Sequence, residues 1–214
     1  KIVGTYRDGV ADGVRKEYNP DGSLAIAYIF EMGSLLGSGI LDEQGLKQGS
    51  WKEFYREGGL KAEGSYKDGV KIGAWTFYFP NGRVEQTGSY TDRGREQGKW
   101  TWYYFDGTLR REENFTNGLK NGDMIEYDED GNVIARGTFV DDEEDGPWYY
   151  QEEGYTQEGE YIMGEREGEW KHHYPEGNLS FTGKFIDGYP DGKHVFYNPN
   201  GSVKREGNYI VGVR

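Results

Sequence analysis

The sequence predicts an all-β protein, an elongated single-sheet solenoid of stacked antiparallel β-hairpins, and three observations predict it. First, a Gly-x-[aromatic or other large residue] unit begins at Gly13, Gly37, Gly49, Gly73, Gly98, Gly122, Gly146, Gly168 and Gly192, at intervals of 24, 12, 24, 25, 24, 24, 22 and 24. Self-similarity at a fixed period of about 20–50 residues is the signature of repeat architectures. Second, each unit holds two strand-length segments separated by a turn of Pro, Asp or Asn with Gly. Third, 35 glycines and a 16% aromatic share accompany only 34% hydrophobic residues and a mean hydropathy of -0.93. That balance suits thin β structure, in which broad rings cover sheet surface and glycines make turns.

The first segment of each unit opens on Gly-x-Trp or its equivalent and ends in x-Pro-[Asp/Asn/Glu]-Gly at Asn19–Gly22, Phe79–Gly82, Tyr174–Gly177 and Asn198–Gly201. Proline presets φ at the second turn position, the polar residue suits the third, and glycine takes the place that needs positive φ. Tyr104–Gly107 and Asp128–Gly131 do the same without proline. These are hairpin tips. The second segment reads Leu-x-x-x-Gly-x-Tyr, as in Leu60/Gly64/Tyr66, Val84/Gly88/Tyr90 and Leu179/Gly183/Phe185. Its offsets are even, so on a strand these residues share one face, with the glycine leaving room for a ring from the neighbouring strand. In Leu109–Phe115 the glycine place is held by Glu113, where looser packing is expected.

Three residues after the Trp lies a second aromatic column, Tyr18, Phe54, Tyr78, Tyr103, Tyr127, His173 and Tyr197. An odd offset places Trp and Tyr on opposite faces of a regular strand, unless a bulge intervenes or the Trp lies in the entering turn. Two places break the rhythm. The interval halves between Gly37 and Gly49, which predicts an irregular half-repeat near 33–49, read as a kink or seam from which one segment or turn is missing. Asp141–Asp145 replaces a glycine-containing turn and reads as a solvated loop. Residues 1–214 are otherwise expected to form one repeat domain of roughly seventeen strands, on the order of 80 Å long at about 4.8 Å per strand. Neither end shows a cap, and an unpaired terminal strand invites edge pairing, so either edge-to-edge self-association or a neighbouring domain is expected there.

The repeat Gly-x-Trp-x-x-Tyr-Tyr-x-x-Gly-x-Leu-x-x-x-Gly-x-Tyr-x-x-Gly-x-x-x-Gly, seen best at Gly49–Gly73 and Gly98–Gly122, resembles the MORN family (membrane occupation and recognition nexus) in its bacterial variant. The resemblance covers nearly the whole chain and is weakest at 33–49. It implies stacked β-hairpins and a protein-binding role, and proteins that look like this are widely labelled antitoxin components of toxin–antitoxin or toxin–immunity pairs. The membrane role in the family name belongs mainly to eukaryotic members.

Composition excludes several function classes. A net charge of -13 disfavours sequence-independent nucleic-acid binding and anionic membrane surfaces. It permits a basic protein partner, set against the simpler reading that an acidic surface maintains solubility. No cysteine is present, which excludes disulfides and thiolate chemistry. No apolar run approaches the length of a membrane span. With Lys1 rather than Met in first place, the expected location is the bacterial cytoplasm or, where a signal preceded Lys1, the periplasm or cell surface.

No Gly-x-Ser-x-Gly, His-Glu-x-x-His or phosphate-loop signature occurs, and 38 acidic residues make carboxylate pairs uninformative, so neither catalysis nor a cofactor is expected. Of the three histidines, His173 stands in the Tyr column and His194 in the Trp column, as packing residues. No further ligands give a zinc site. Asp128–Gly131 has a fragment of a calcium-loop pattern, but Gly137 stands where the final glutamate belongs, so it reads as a turn. The candidate partner-binding surface is an aromatic strip of Phe77, Phe79, Trp102, Tyr104, Tyr149, Tyr150, His172 and Phe196, set against the simpler reading that these rings pack on their neighbours.

Two functions compete: a non-catalytic protein–protein interaction scaffold, of an antitoxin or immunity type, and a cell-surface glycan- or choline-binding repeat protein. The second rests on Trp102–Gly107, which looks like the aromatic hairpins that cage quaternary ammonium groups.

Overall fold

The structure, a computed structural model, describes residues 1–211, and those residues form eighteen strands and no helix. The chain divides into two compact units, Lys1–Thr108 and Leu109–Arg214. The division does not fall at the halved interval near residues 33–49.

Unit 1 is an antiparallel meander of β1 (Ile2–Arg7), β2 (Val10–Tyr18), β3 (Leu24–Glu31), β4 (Ser34–Leu41), β5 (Lys47–Phe54), β6 (Leu60–Lys67), β7 (Val70–Tyr78), β8 (Val84–Tyr90) and β9 (Glu96–Tyr103). Unit 2 repeats the plan with β10 (Leu109–Thr116), β11 (Leu119–Tyr127), β12 (Val133–Val140), β13 (Glu143–Glu152), β14 (Tyr155–Ile162), β15 (Glu165–His173), β16 (Leu179–Ile186), β17 (Tyr189–Tyr197) and β18 (Val203–Tyr209). Within each unit every strand pairs with the next.

Five-residue tips and two-residue turns join the strands. At the tip 79–83, the Phe79 amide donates to the Arg83 carbonyl and the Gly82 amide to the Phe79 carbonyl, with Gly82 at φ 81. The Asn81 carboxamide oxygen accepts from the Arg83 amide, closing the loop locally. Asp68–Gly69 and Asp187–Gly188 make two-residue turns with both residues at positive φ, the geometry whose twist matches that of the flanking strands. Of Asp141–Asp145 only Asp141 and Asp142 form a turn, at φ 50 and 75. Glu143–Asp145 instead begin β13, so the stretch read as a loop is mostly strand. Asp142 holds this turn in place by accepting from the Lys120 amide at 2.7 Å and donating its own amide to the Lys120 carbonyl.

Where the interval halves, strand pairing does not break: β3 pairs β4 and β4 pairs β5. β3 and β4 both take the glycine-type role, and the Gly-x-Trp strand expected between them is missing. Removing one rung from an antiparallel ladder leaves pairing intact but exchanges its edges. Accordingly, five-residue tips close β2–β3 and β4–β5 at one edge, then β5–β6 and β7–β8 at the other. The irregularity is a phase switch within unit 1.

Each core is one sheet face. Trp75 lies over Gly64 of the preceding strand, where a Cβ would stand 2.3 Å from the indole. The indole N–H donates to the Ser65 carbonyl at 3.2 Å. Trp51 does the same over Gly39 to Ile40, Trp148 over Gly137 to Thr138, and Trp170 over Gly159 to Glu160. His194 takes the Trp place over Gly183, with its Nε2 2.7 Å from the Lys184 carbonyl. Tyrosines pack edge-on between successive indoles: Tyr66 stands 6.3 Å from Trp51 and 5.1 Å from Trp75. These geometries are the favourable ones for ring quadrupoles.

A bulge lies just before each Trp. Between the pairs Glu63↔Thr76 and Ser65↔Ile72 the register slips, with Gly73 at φ 63. The bulge precedes the Trp, so it does not bring the second aromatic column onto the Trp face. Trp75 and Tyr78 point to opposite faces, and the Tyr78 hydroxyl donates to Glu63 on the second face.

The Glu113 site is tightly built, contrary to expectation. Met124 stands where a Trp would cover it, which leaves room for the carboxylate. Glu113 is 3% exposed and ion-paired to Arg111 at 2.7 Å and Lys120 at 3.2 Å. A glycine–tryptophan pair has been exchanged for a glutamate–methionine pair of similar filling.

Candidate functional site

Strand alternation gives each unit a Trp face and a second face. The eight aromatic-strip residues divide between them. Phe77, Tyr150 and Trp102 join the Trp face, stacked on Trp75 at 5.7 Å, Trp148 at 5.4 Å and Trp100 at 6.0 Å. His172 and Phe196 flank Phe181 at 4.8 and 4.9 Å. Phe79 and Tyr104 lie at hairpin tips, where Phe79 meets the exposed Phe105 ring at 5.3 Å. Tyr149 lies on the second face of unit 2, with the Arg136 guanidinium 5.2 Å from its ring centroid. The eight therefore form no single strip, and Trp102 and Tyr103 of the choline-repeat-like stretch point to opposite faces.

The Trp face is edged by cations at the strand starts. Lys47 lies over Trp51 and Tyr66, Lys71 over Trp75 and Phe77, and Arg166 over Trp170. Burial works to raise the Glu53 carboxyl, but hydrogen bonds from Lys47 (2.8 Å) and the Tyr66 hydroxyl (2.7 Å) hold it below its ordinary value. Burial pushes the Tyr90 hydroxyl up to about 12 and lowers Lys71. These groups are locked into packing. Burial, with the charges of Arg166 and His173, also holds His172 below the ordinary histidine value, and its Nε2 is enclosed without a hydrogen-bond partner.

The second face is where the repeats differ. Between Gly and Trp stand Ser50, Ala74, Asp123, Pro147, Glu169 and Lys193, and after the second-segment glycine stand Ser65, Ser89, Thr138, Glu160 and Lys184. In unit 2 this face carries an open trough of about 720 Å³ across β11–β15. Its walls include Tyr149, Ile125 and Pro147, the carboxylates of Asp123, Glu158, Glu160 and Glu169, and the cations Arg136 and Lys171. The matching trough of unit 1, about 440 Å³, is lined by Ser38, Ser50, Ser65, Ala74 and Thr76, with Lys52 and Glu63 paired at 3.7 Å. Sequence reasoning missed this face because its residues obey no repeat pattern. The signal that could have found it is the one set of positions where the pattern allows anything.

Charge divides as unevenly as the troughs. Unit 1 holds 14 Lys and Arg against 15 Asp and Glu, and unit 2 holds 11 against 23, so -1 and -12 make up the net -13. Among the described residues no group of three or more His, Asp or Glu is placed to hold a metal ion, and no helix is long and apolar enough to cross a membrane.

The model of the MORN repeat variant matches residues 47–68, 71–92, 96–117, 120–141, 166–187 and 190–210. Each match spans a Trp-type strand, or its equivalent, and the glycine-type strand after it. The stretches passed over are the phase-switched N-terminal strands and β13–β14, whose hairpin closes on Glu153–Gly154 in place of a five-residue tip. No curated protein matches the chain. Similar solved structures include the GtfA/B complex bound to UDP and GlcNAc, with 17% identity over 53% of this chain and 22% of that one, TM-score 0.22. Others are accessory secretory protein 1, 2 and 3 of Streptococcus pneumoniae (13% identity, 73% and 20% covered, TM-score 0.15) and TcdB2-TccC3-TEV (9%, 92% and 12%, TM-score 0.20). The chain spans about a fifth or less of the length of these structures. With six matched segments covering more than half its length, the chain belongs to the MORN repeat variant family.

Proposed function

We propose that this protein is a non-catalytic protein–protein interaction scaffold of an antitoxin or immunity type, which neutralises a toxic protein partner by covering it. One observation carries the reading. The Trp face repeats indole-on-glycine packing in most hairpins, with Glu113–Met124 and His194 over Gly183 as its exceptions, while the second face carries residues of every chemical type at equivalent places. The more uniform face builds the fold, and the varied face is available to recognise something else. MORN repeats are in general protein- or membrane-binding modules, and a net charge of -13 favours a protein with a basic surface over an anionic membrane. Of the aromatic residues singled out in the sequence, those outside the Trp-face packing, Tyr149 on the second face and Phe79 and Tyr104 at the tips, are the ones this reading assigns to partner contact. Aromatic rings at such positions are typical interface anchors.

The test is co-expression and capture. The tagged full chain should retain one protein in stoichiometric amount, and that protein's toxicity to its host should be relieved when the two are expressed together. Retention of no protein, with saturable binding of choline or a cell-wall glycan instead, would replace this reading with the surface-binding one.

A further inference from the structure

We infer that the second face of unit 2 is a docking trough for an extended, lysine- or arginine-bearing segment of a protein partner, with Glu158, Glu160 and Glu169 as its charge-reading residues. This rests on the protein-binding reading above and assigns it to one face and one partner chemistry.

The trough is an open, unpartnered sheet face with apolar and aromatic walls, and charge complementarity chooses its occupant. None of Glu158, Glu160 and Glu169 takes part in an ion pair among the described residues, although Lys171 stands directly opposite Glu158 and Lys184 directly opposite Glu169 in the ladders. Glu160 stands directly opposite Glu167 on β15. Like charges facing each other across a strand pair are destabilising, and nothing in the fold requires them here. Unit 1 supplies the internal comparison. It builds the same Trp-on-Gly packing with Ser65 in the place of Glu160 and Ala74 in the place of Glu169, and keeps an acid, Glu63, in the place of Glu158. The acidic choice at Glu160 and Glu169 therefore serves something other than the sheet, and a cationic ligand would relieve the repulsion between Glu160 and Glu167.

Size and shape agree. Five strands at about 4.8 Å give a crossing of roughly 19 Å, the reach of about six extended residues. Glu158 and Glu160 lie two residues apart on β14 and Glu169 on β15, with Asp123 at the far side on β11. Cations at alternate places of such a segment would therefore meet carboxylates at both ends of the crossing, with its intervening residues over Tyr149 and Pro147 or toward solvent. A second copy of this chain, equally acidic, would be repelled.

The experiment uses the full chain and a fluorescein-labelled six-residue peptide of alternating lysine and serine, read by fluorescence anisotropy at low and high salt. Saturable binding is expected, with none for the same peptide bearing glutamate for lysine. Glu158→Gln/Glu160→Gln/Glu169→Gln should weaken it about tenfold or more, and Glu160→Gln alone by a measurable part of that. A control, Glu129→Gln/Glu152→Gln/Glu176→Gln, removes the same charge from exposed positions outside the trough and should leave affinity within about twofold. The trough variant should melt close to wild type, since it loses the Glu160–Glu167 repulsion together with the facing of Glu158 by Lys171 and of Glu169 by Lys184, and all three replaced glutamates are exposed. Equal weakening in both triple variants, or displacement of the peptide by micromolar calcium, would overturn the proposal. So would unchanged binding by the trough variant. A natural partner retained undiminished by the trough variant would overturn the assignment to this face while leaving the scaffold reading in place.

Discussion

At the residue scale, the unit of stability is a tryptophan lying on a glycine. Trp75 is 1% exposed, and a buried ring of this size contributes through some 150–250 Å² removed from water, about 4–6 kcal/mol before entropy is counted. Trp75→Ala is expected to destabilise unit 1 by about 3–5 kcal/mol in denaturant titration. Gly64→Ala makes a sharper test. Gly64 does not need positive φ, so any cost arises from the clash of the new methyl with the indole, expected at about 1–3 kcal/mol. A neutral Gly64→Ala would show that the ring does not lie where it is described. His172 carries the pH dependence. Its folded-state pKa is lowered, first by burial, so as pH falls through about 6.5 the unfolded chain takes up the proton before the folded one. Its stabilising contribution is full above that value and declines as pH drops toward the folded pKa. The denaturant midpoint of wild type should therefore fall more between about pH 7 and pH 5 than that of His172→Phe, and parallel profiles would discard the idea.

At the element scale, the strand is the unit that can be lost without damage to pairing. Near residues 33–49 the sequence lacks one strand, and the sheet answers by exchanging its edges, because an antiparallel ladder needs only the next strand to run the other way. The two-residue turns show where local chemistry lags behind topology. Met32 and Met163 occupy left-handed conformations at φ 47 and 52, and both are among the most exposed large hydrophobic residues described, at 69% and 74%. Asparagine tolerates that conformation and suits the turn type. Met32→Asn and Met163→Asn should each stabilise by about 0.5–1 kcal/mol, measured as shifts in denaturant midpoint with unchanged slope. A loss of stability would mean that the methionine side chains make contacts that outweigh their backbone cost.

At the scale of the whole molecule, charge is the property least tied to the fold, since -1 and -12 sit on two units built by one plan. Added salt should screen the repulsion in unit 2, so amide protection in β13–β15 is expected to rise with ionic strength while that in β5–β8 stays level. A uniform response across both would argue against local repulsion. The repeat period, hairpin tips, ring columns and glycine positions were all legible in the sequence, because each is a local demand of backbone geometry or ring size repeated along the chain. Glu113 was misjudged, since its fitness depends on Met124, a residue eleven positions away whose smaller width makes the room. The aromatic strip dissolved for a similar reason: an even offset from the Trp puts Phe77 and Tyr150 on the core face, while Tyr149 alone reaches the acidic trough. The sequence by itself determined that hairpins repeat, that rings and glycines face one another, and that the chain is acidic. Only the tertiary structure decided which carboxylates converge, because a trough is made by residues such as Asp123 and Thr138, Arg136 and Tyr149, or Pro147 and Glu160, far apart in the chain, that meet through strand pairing, and pairing distance leaves no periodic mark on side chains that the core does not constrain.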